Sequence, residues 1–237
     1  AAGVARLGLE AFPGVRFLPF RLRDGDEASC RNLNQPKRPL VLGVDAAAIQ
    51  ARNPFRFART LTPVSQPWSL LARQDEPDVV PGVVDDAVAQ WVLKVGLGDT
   101  LAYVDEAGRP FRVRIVGTLA SSILQGYVVI DARAFAARFP SIAGNRVFLV
   151  DLPSAEYAAF DRRLKESALE DYGLTTVPAS ERLAAFEAVQ NTYLSIFSVV
   201  GGLGLVLGCL GLALVVLRNV LERRADKRRS EGLGDRE

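Results

Sequence analysis

The chain has 237 residues, 49% hydrophobic and 24% charged, with 29 basic side chains against 27 acidic ones, a composition that folds and buries a sizeable core. Before Tyr193 the charges cancel, 22 against 22, so the net +2 sits in the tail, and a neutral body argues against a nucleic-acid surface. Histidine is absent, which excludes Ser-His-Asp and Cys-His nucleophilic sites, imidazole acid/base work and imidazole-ligated zinc.

In chain order, residues 15–23 (VRFLPFRLR) predict a strand ended by Asp24-Gly25-Asp26, and 39–44 (PLVLGV) a second, followed by a helix from about Asp45 to Arg52. Residues 53–78, rich in Pro, Arg and polar groups, predict irregular structure and a possible joint between two lobes. A short strand is expected at 79–84 and a helix at 85–94 (DDAVAQWVLK) with Val88, Trp91 and Val92 on one face. The Asp85-Asp86 pair reads as first-turn carboxylates favoured by the helix dipole, in preference to a metal or acid/base site. Alternation in 100–104 and 111–116, joined through Ala107-Gly108, is a β-hairpin. Further strands are expected at 125–130, 146–151 and 174–177, with helices at 132–139 and 155–172.

Residues 193–217 (YLSIFSVVGGLGLVLGCLGLALVVL) are 25 consecutive residues without a charge. As a helix they measure about 37 Å, enough to cross a hydrocarbon layer of roughly 30 Å with some tilt. Six basic side chains follow in 218–229, among them Arg218, Arg223 and Arg224, against two acidic ones, whereas 173–192 holds only Arg182. The positive-inside rule then puts the C-terminus in the cytoplasm and the N-terminal part outside, in contact with membrane lipid at the span between. Gly201, Gly204, Gly208 and Gly211 remove side-chain bulk within the span, and the Gly204-x-x-x-Gly208 pair lets another helix approach closely, although glycine is also simply common in such helices. Upstream, Leu183, Phe186, Tyr193 and Phe197 fall at helical spacing, so one helix is expected from about Ser180, its N-cap, through the span to Arg224: a stalk continuous with the membrane segment.

The organisation read from these patterns is an α+β extracytoplasmic domain with a mixed sheet over 1–179, a stalk helix at 180–192, a transmembrane helix at 193–217 and a basic cytoplasmic tail at 218–237. There is no Walker A loop, GxSxG, CxxC or GxGxxG. No catalytic, cofactor-binding or metal residue is assigned, and no enzyme activity is expected. Cys30 and Cys209 form no disulfide framework, because the second lies inside the apolar run. With no methionine, the sequence reads as a fragment or a processed product.

Two stretches carry a family resemblance. Gly98–Leu119, with GDT, strand, glycine turn and FRVRIVGTL, resembles the extracytoplasmic domain of FtsX/MacB-like ABC-transporter permeases. RLAAFEAVQNTYLSIF (182–197), the glycine-rich span and LRNVLERR (217–224) resemble the stalk and following transmembrane helix of the same family. The resemblance implies a permease subunit in a bacterial inner (plasma) membrane. Its implied partners are a separate cytoplasmic ABC ATPase and other permease transmembrane helices, the whole forming a dimer. Its implied task is export, extraction or mechanotransmission. After Arg224 the charged ADKRRSEGLG stands where the family has a mostly aliphatic segment against the ATPase. A single-pass membrane-anchored sensor or ligand-binding protein would share the topology, and an extracytoplasmic enzyme working with carboxylates alone remains a third reading.

Overall fold

The computed structural model describes residues 12, 14–25, 38–166, 173 and 175–234. Two compact units divide at Phe186 and Glu187. The first is built on eight strands: β1 (Arg16–Arg23), β2 (Leu40–Val44), β3 (Phe57–Thr60), β4 (Val79–Asp85), β5 (Thr100–Val104), β6 (Pro110–Leu119), β7 (Tyr127–Asp131) and β8 (Val147–Asp151). They form one mixed sheet in the order β3-β6-β4-β7-β2-β1-β8, with β5 also paired to β6. β2 runs parallel to β7 and β4 parallel to β6, while the other pairs are antiparallel. This is the mixed-sheet α+β architecture the sequence implied.

Both faces of the sheet are covered, which is why β4 (VVPGVVD) is buried at every position instead of alternating. On one face Phe20, Leu42, Val83 and Val129 pack with Trp68, Leu71 and Ile49 of α1 (Ala46–Arg52). On the other, Val41, Val84, Ile115 and Ile130 pack with Phe135 of α2 (Ala132–Arg138), with Phe139 and with a π-helical turn at Val88–Leu93. The contact on β2 is close: a Cβ on Gly43 would stand 2.7 Å from Phe135 Cβ. Side-chain caps set the helix starts, Asp45 Oδ1 accepting from the N–H of Ala47 and Ala48, and Asp131 accepting from Arg133.

Several expectations need correction. Residues 53–78 are not irregular throughout, since they hold β3 and a 3₁₀ turn at Pro67–Ala72 that carries Trp68 into the core. The 85–94 segment is not one α-helix: Asp85 ends β4, and Val88–Leu93 winds as a π-helix, with the Lys94 N–H returning to the Ala89 carbonyl. In i→i+5 winding Leu93 comes round beneath Val88, so Val88, Ala89 and Leu93 are buried and Val92 is half-buried against the same cluster, while Trp91, expected on that face, is 72% exposed. Of the strand expected at 174–177, residues 175–177 form none, Thr176 donating its hydroxyl to Asp161 at 2.6 Å, and Leu174 lies outside the described residues. The helix expected at 155–172 begins as a 3₁₀ turn at Ser154–Glu156 and continues as α3 (Tyr157–Glu166), and residues 167–172 lie outside the described residues, as does Cys30. β7 starts two residues later than expected and takes in Asp131, where α2 is capped.

The last helix, α4, runs from Ala179 to Gly234, 56 residues. Its start lies before Ser180, which is therefore helical and not the cap, and the Arg182 N–H closes the first turn on the Pro178 carbonyl at 3.0 Å. Within it Ser195–Asn219 has a mean hydropathy of 2.6 and no buried residue, the pattern of a helix whose apolar side chains need a surrounding other than water.

Candidate functional site

Helix α4 and its attachment to the first unit make up the region with a distinct function to perform. Leu183 and Phe186 are half-buried on the first two turns, and Tyr193 follows on the same helix. Gly201, Gly204, Gly208 and Gly211 leave an open strip, since a Cβ added at any of them would meet nothing within 4 Å. They recur at spacings of three and four, which keeps them on one side of the helix. Exposed leucines and valines, from Val199 to Leu221, surround that strip. Arg218 is exposed at the end of the apolar stretch, and Arg223 and Arg224 lie on the next turns.

The sequence did not show how the start of α4 is held, because the bonds reach residues far away in the chain. The Arg182 Nε donates to the Ile123 carbonyl at 2.9 Å. Its guanidinium lies 5.8 Å from the ring centre of Tyr127 and 5.6 Å from that of Phe186. Ile123 belongs to the crossover joining β6 to β7 past the end of β4. Asp85, 1% exposed, binds that crossover, its Oδ2 accepting from the Ser122 N–H at 2.8 Å and its Oδ1 from the Ala87 N–H at 3.1 Å. Burial pushes the Asp85 carboxyl above the usual carboxylate range, and the N–H of Ser122 opposes that shift. Asp86, next along, accepts from the Arg59 Nη2 at 2.6 Å; desolvation raises its carboxyl, but Arg59 and the Thr118 hydroxyl together outweigh it and hold the group below its ordinary value. Both carboxylates are thus engaged in hydrogen bonds within the fold, and Asp85 acts from the end of a strand, not from the first turn of a helix as expected. One signal for Arg182 was present: it is the lone cation in the twenty residues before the span.

Among the described residues no group of three His, Cys, Asp or Glu side chains is placed to hold a metal ion. Cys209 is exposed on α4 within the apolar stretch. Two depressions on the described surface carry charged side chains: one is lined by Arg59, Asp86, Gln90 and Lys94, and another sets Arg73, Glu76 and Arg114 beside Leu61, Leu70 and Val116.

No protein-family model matches the chain, and no curated protein matches it. Among solved structures it is similar to the extracellular domain of the noncanonic ABC-type transporter YknZ from Gram-positive bacteria, with a TM-score of 0.39 at 10% identity over 72% of this chain and 84% of that one. It is similar also to the periplasmic region of MacB from Actinobacillus actinomycetemcomitans, with a TM-score of 0.36 at 10% identity over 73% of this chain and 84% of that one.

Proposed function

We propose that this chain is part of an ABC-type permease subunit, in which α4 crosses the membrane and relays motion between a separate cytoplasmic ATPase and the mixed-sheet domain outside. The observation that carries the reading is the single helix from Ala179 to Gly234: it starts in the first unit, where Arg182 is bonded to the β6–β7 crossover, and includes the apolar stretch Ser195–Asn219. An unbroken helix resists bending, so displacement at one end reaches the other. The sequence resemblance of 182–224 to the stalk and membrane helix of FtsX/MacB-like permeases points the same way. In this reading the domain lies over 1–179, the stalk over 180–192, the span over 193–217 and the basic tail over 218–237. Leu183, Phe186 and Tyr193 belong to the stalk, the glycine strip of Gly201, Gly204, Gly208 and Gly211 packs against another permease helix or a second copy, and Arg218, Arg223 and Arg224 hold the cytoplasmic flank.

These 237 residues contain no Walker A loop, so in this reading ATP is hydrolysed outside them, by the cytoplasmic ATPase. The tagged protein, extracted from its own membrane in mild detergent, is expected to bring down a subunit that carries a Walker A loop and hydrolyses ATP, while the purified chain alone hydrolyses none. Hydrolysis by the chain alone, or repeated isolation without any ATP-binding subunit, would remove the permease reading and favour the single-pass sensor.

A further inference from the structure

The β6–β7 crossover is held at successive residues. The buried Asp85 carboxylate takes the Ser122 N–H, and the Ser122 Oγ in turn accepts the Leu124 N–H at 3.1 Å. The Ile123 carbonyl takes Arg182 Nε. Ser121 at φ +44° and Gly126 at φ +90° bracket the segment in the left-handed region, so its path is set by these bonds and not by a regular element. A crossover bonded at neighbouring residues to two different elements has little slack. Displacement of the helix start therefore pulls on Ile123, then on Ser122, and through Asp85 on the Ala87 N–H that opens the π-helix. That winding is a rare one, favoured only in its context, and is the compliant element next in line.

We propose that Arg182 is a positioning residue that fastens the start of α4 to the β6–β7 crossover, and that the Ser122–Asp85–Ala87 bonds carry its position to the π-helix and its exposed Trp91. The proposal rests on the relay reading above and gives it an entry point into the sheet. Coupling of this kind travels through contiguous bonds that both ends can bias, and each link here is a hydrogen bond of 2.8 to 3.1 Å.

The test uses the whole chain in lipid nanodiscs, labelled with 5-fluorotryptophan, since Trp68 and Trp91 are its two tryptophans, one buried and one exposed. In Arg182→Leu the amides of Ser122, Leu124 and Ala87 are expected to exchange about tenfold faster, a change equal to the loss of one hydrogen bond to a charged group. The Trp91 fluorine resonance should move while Trp68 and the β2 amides stay as they were. Arg182→Lys, which keeps the charge and a donor, should restore most of the protection. Faster exchange confined to the crossover, with Ala87 and Trp91 unmoved, overturns the proposal, and so does an unaltered crossover. Should Arg182→Leu loosen the whole sheet, Phe186→Leu removes one ring from the guanidinium and gives the same comparison: a two- to threefold local effect is expected, and none overturns it. No ATPase enters these measurements, so a chain that passes them yet never pairs with one keeps the clamp and loses the permease reading.

Discussion

Asp85 and Asp105 show how one residue type is shifted in opposite directions by its surroundings. Asp105 sits at the hairpin turn, its Oδ1 accepting from the N–H of Ala107 and Arg109 and its Oδ2 from the Arg109 guanidinium. The Arg109 N–H, before the guanidinium, holds its carboxyl below the ordinary range. Asp85 is raised by burial. For Asp105 the folded pKa lies under the unfolded one, so its stabilisation is present above the ordinary value near 4 and is lost as pH falls through the folded value. For Asp85 the order reverses: its contribution is most favourable below the ordinary value near 4 and declines as pH rises to the folded one, above which it is constant. Urea unfolding from pH 2.5 to 7 should therefore show the wild-type advantage over Asp105→Asn shrinking on acidification, and Asp85→Asn gaining on the wild type as pH rises through the Asp85 transition. A pH-independent gap in either pair would contradict the assignment. The hairpin turn was legible from Gly108, which adopts φ +78°. Asp105 and Asp85 were not, because what sets them is which N–H groups the fold brings to them, and these come from distances of 2 to 37 residues along the chain.

At the scale of elements, legibility follows the length and burial of the pattern. β1, β2 and β6 alternate or run apolar for five residues or more and stand close to where the sequence puts them. β3 has four residues on a sheet edge, none of them fully buried, and so leaves no periodic trace. The π-helix is misread for a different reason: periodicity arguments assume 3.6 residues per turn, and DDAVAQWVLK fits that period well enough to put Trp91 inward. The structure makes a sharp distinction that a pair of substitutions can check. Leu93→Ala, at a buried position, should cost about 2–5 kcal/mol, while Trp91→Ala, at a surface one, should stay within about 0.5 kcal/mol in thermal or urea unfolding. An α-helical segment would give the reverse. On α4 the uncharged stretch was legible, but the helix expected to end at Arg224 runs on to Gly234, and its attachment at Arg182 depends on a carbonyl 59 residues away.

For the whole molecule the decisive quantity is the side of the membrane on which each end lies, and charge supplies the argument. Six basic and two acidic side chains occupy 218–229, immediately after the apolar stretch, against the single Arg182 in 173–192. Retaining the more basic flank in the cytoplasm predicts an outer first unit and an inner tail. In a variant with Cys30 and Cys209 replaced, a cysteine at Ser154, on the exposed turn before α3, should react with a membrane-impermeant maleimide in intact cells. A cysteine at Ser230, near the end of α4, should react only after the cells are permeabilised. Labelling of Ser230 alone in intact cells would invert the topology, place the basic tail where no cytoplasmic ATPase can reach it, and remove the relay as well as the permease.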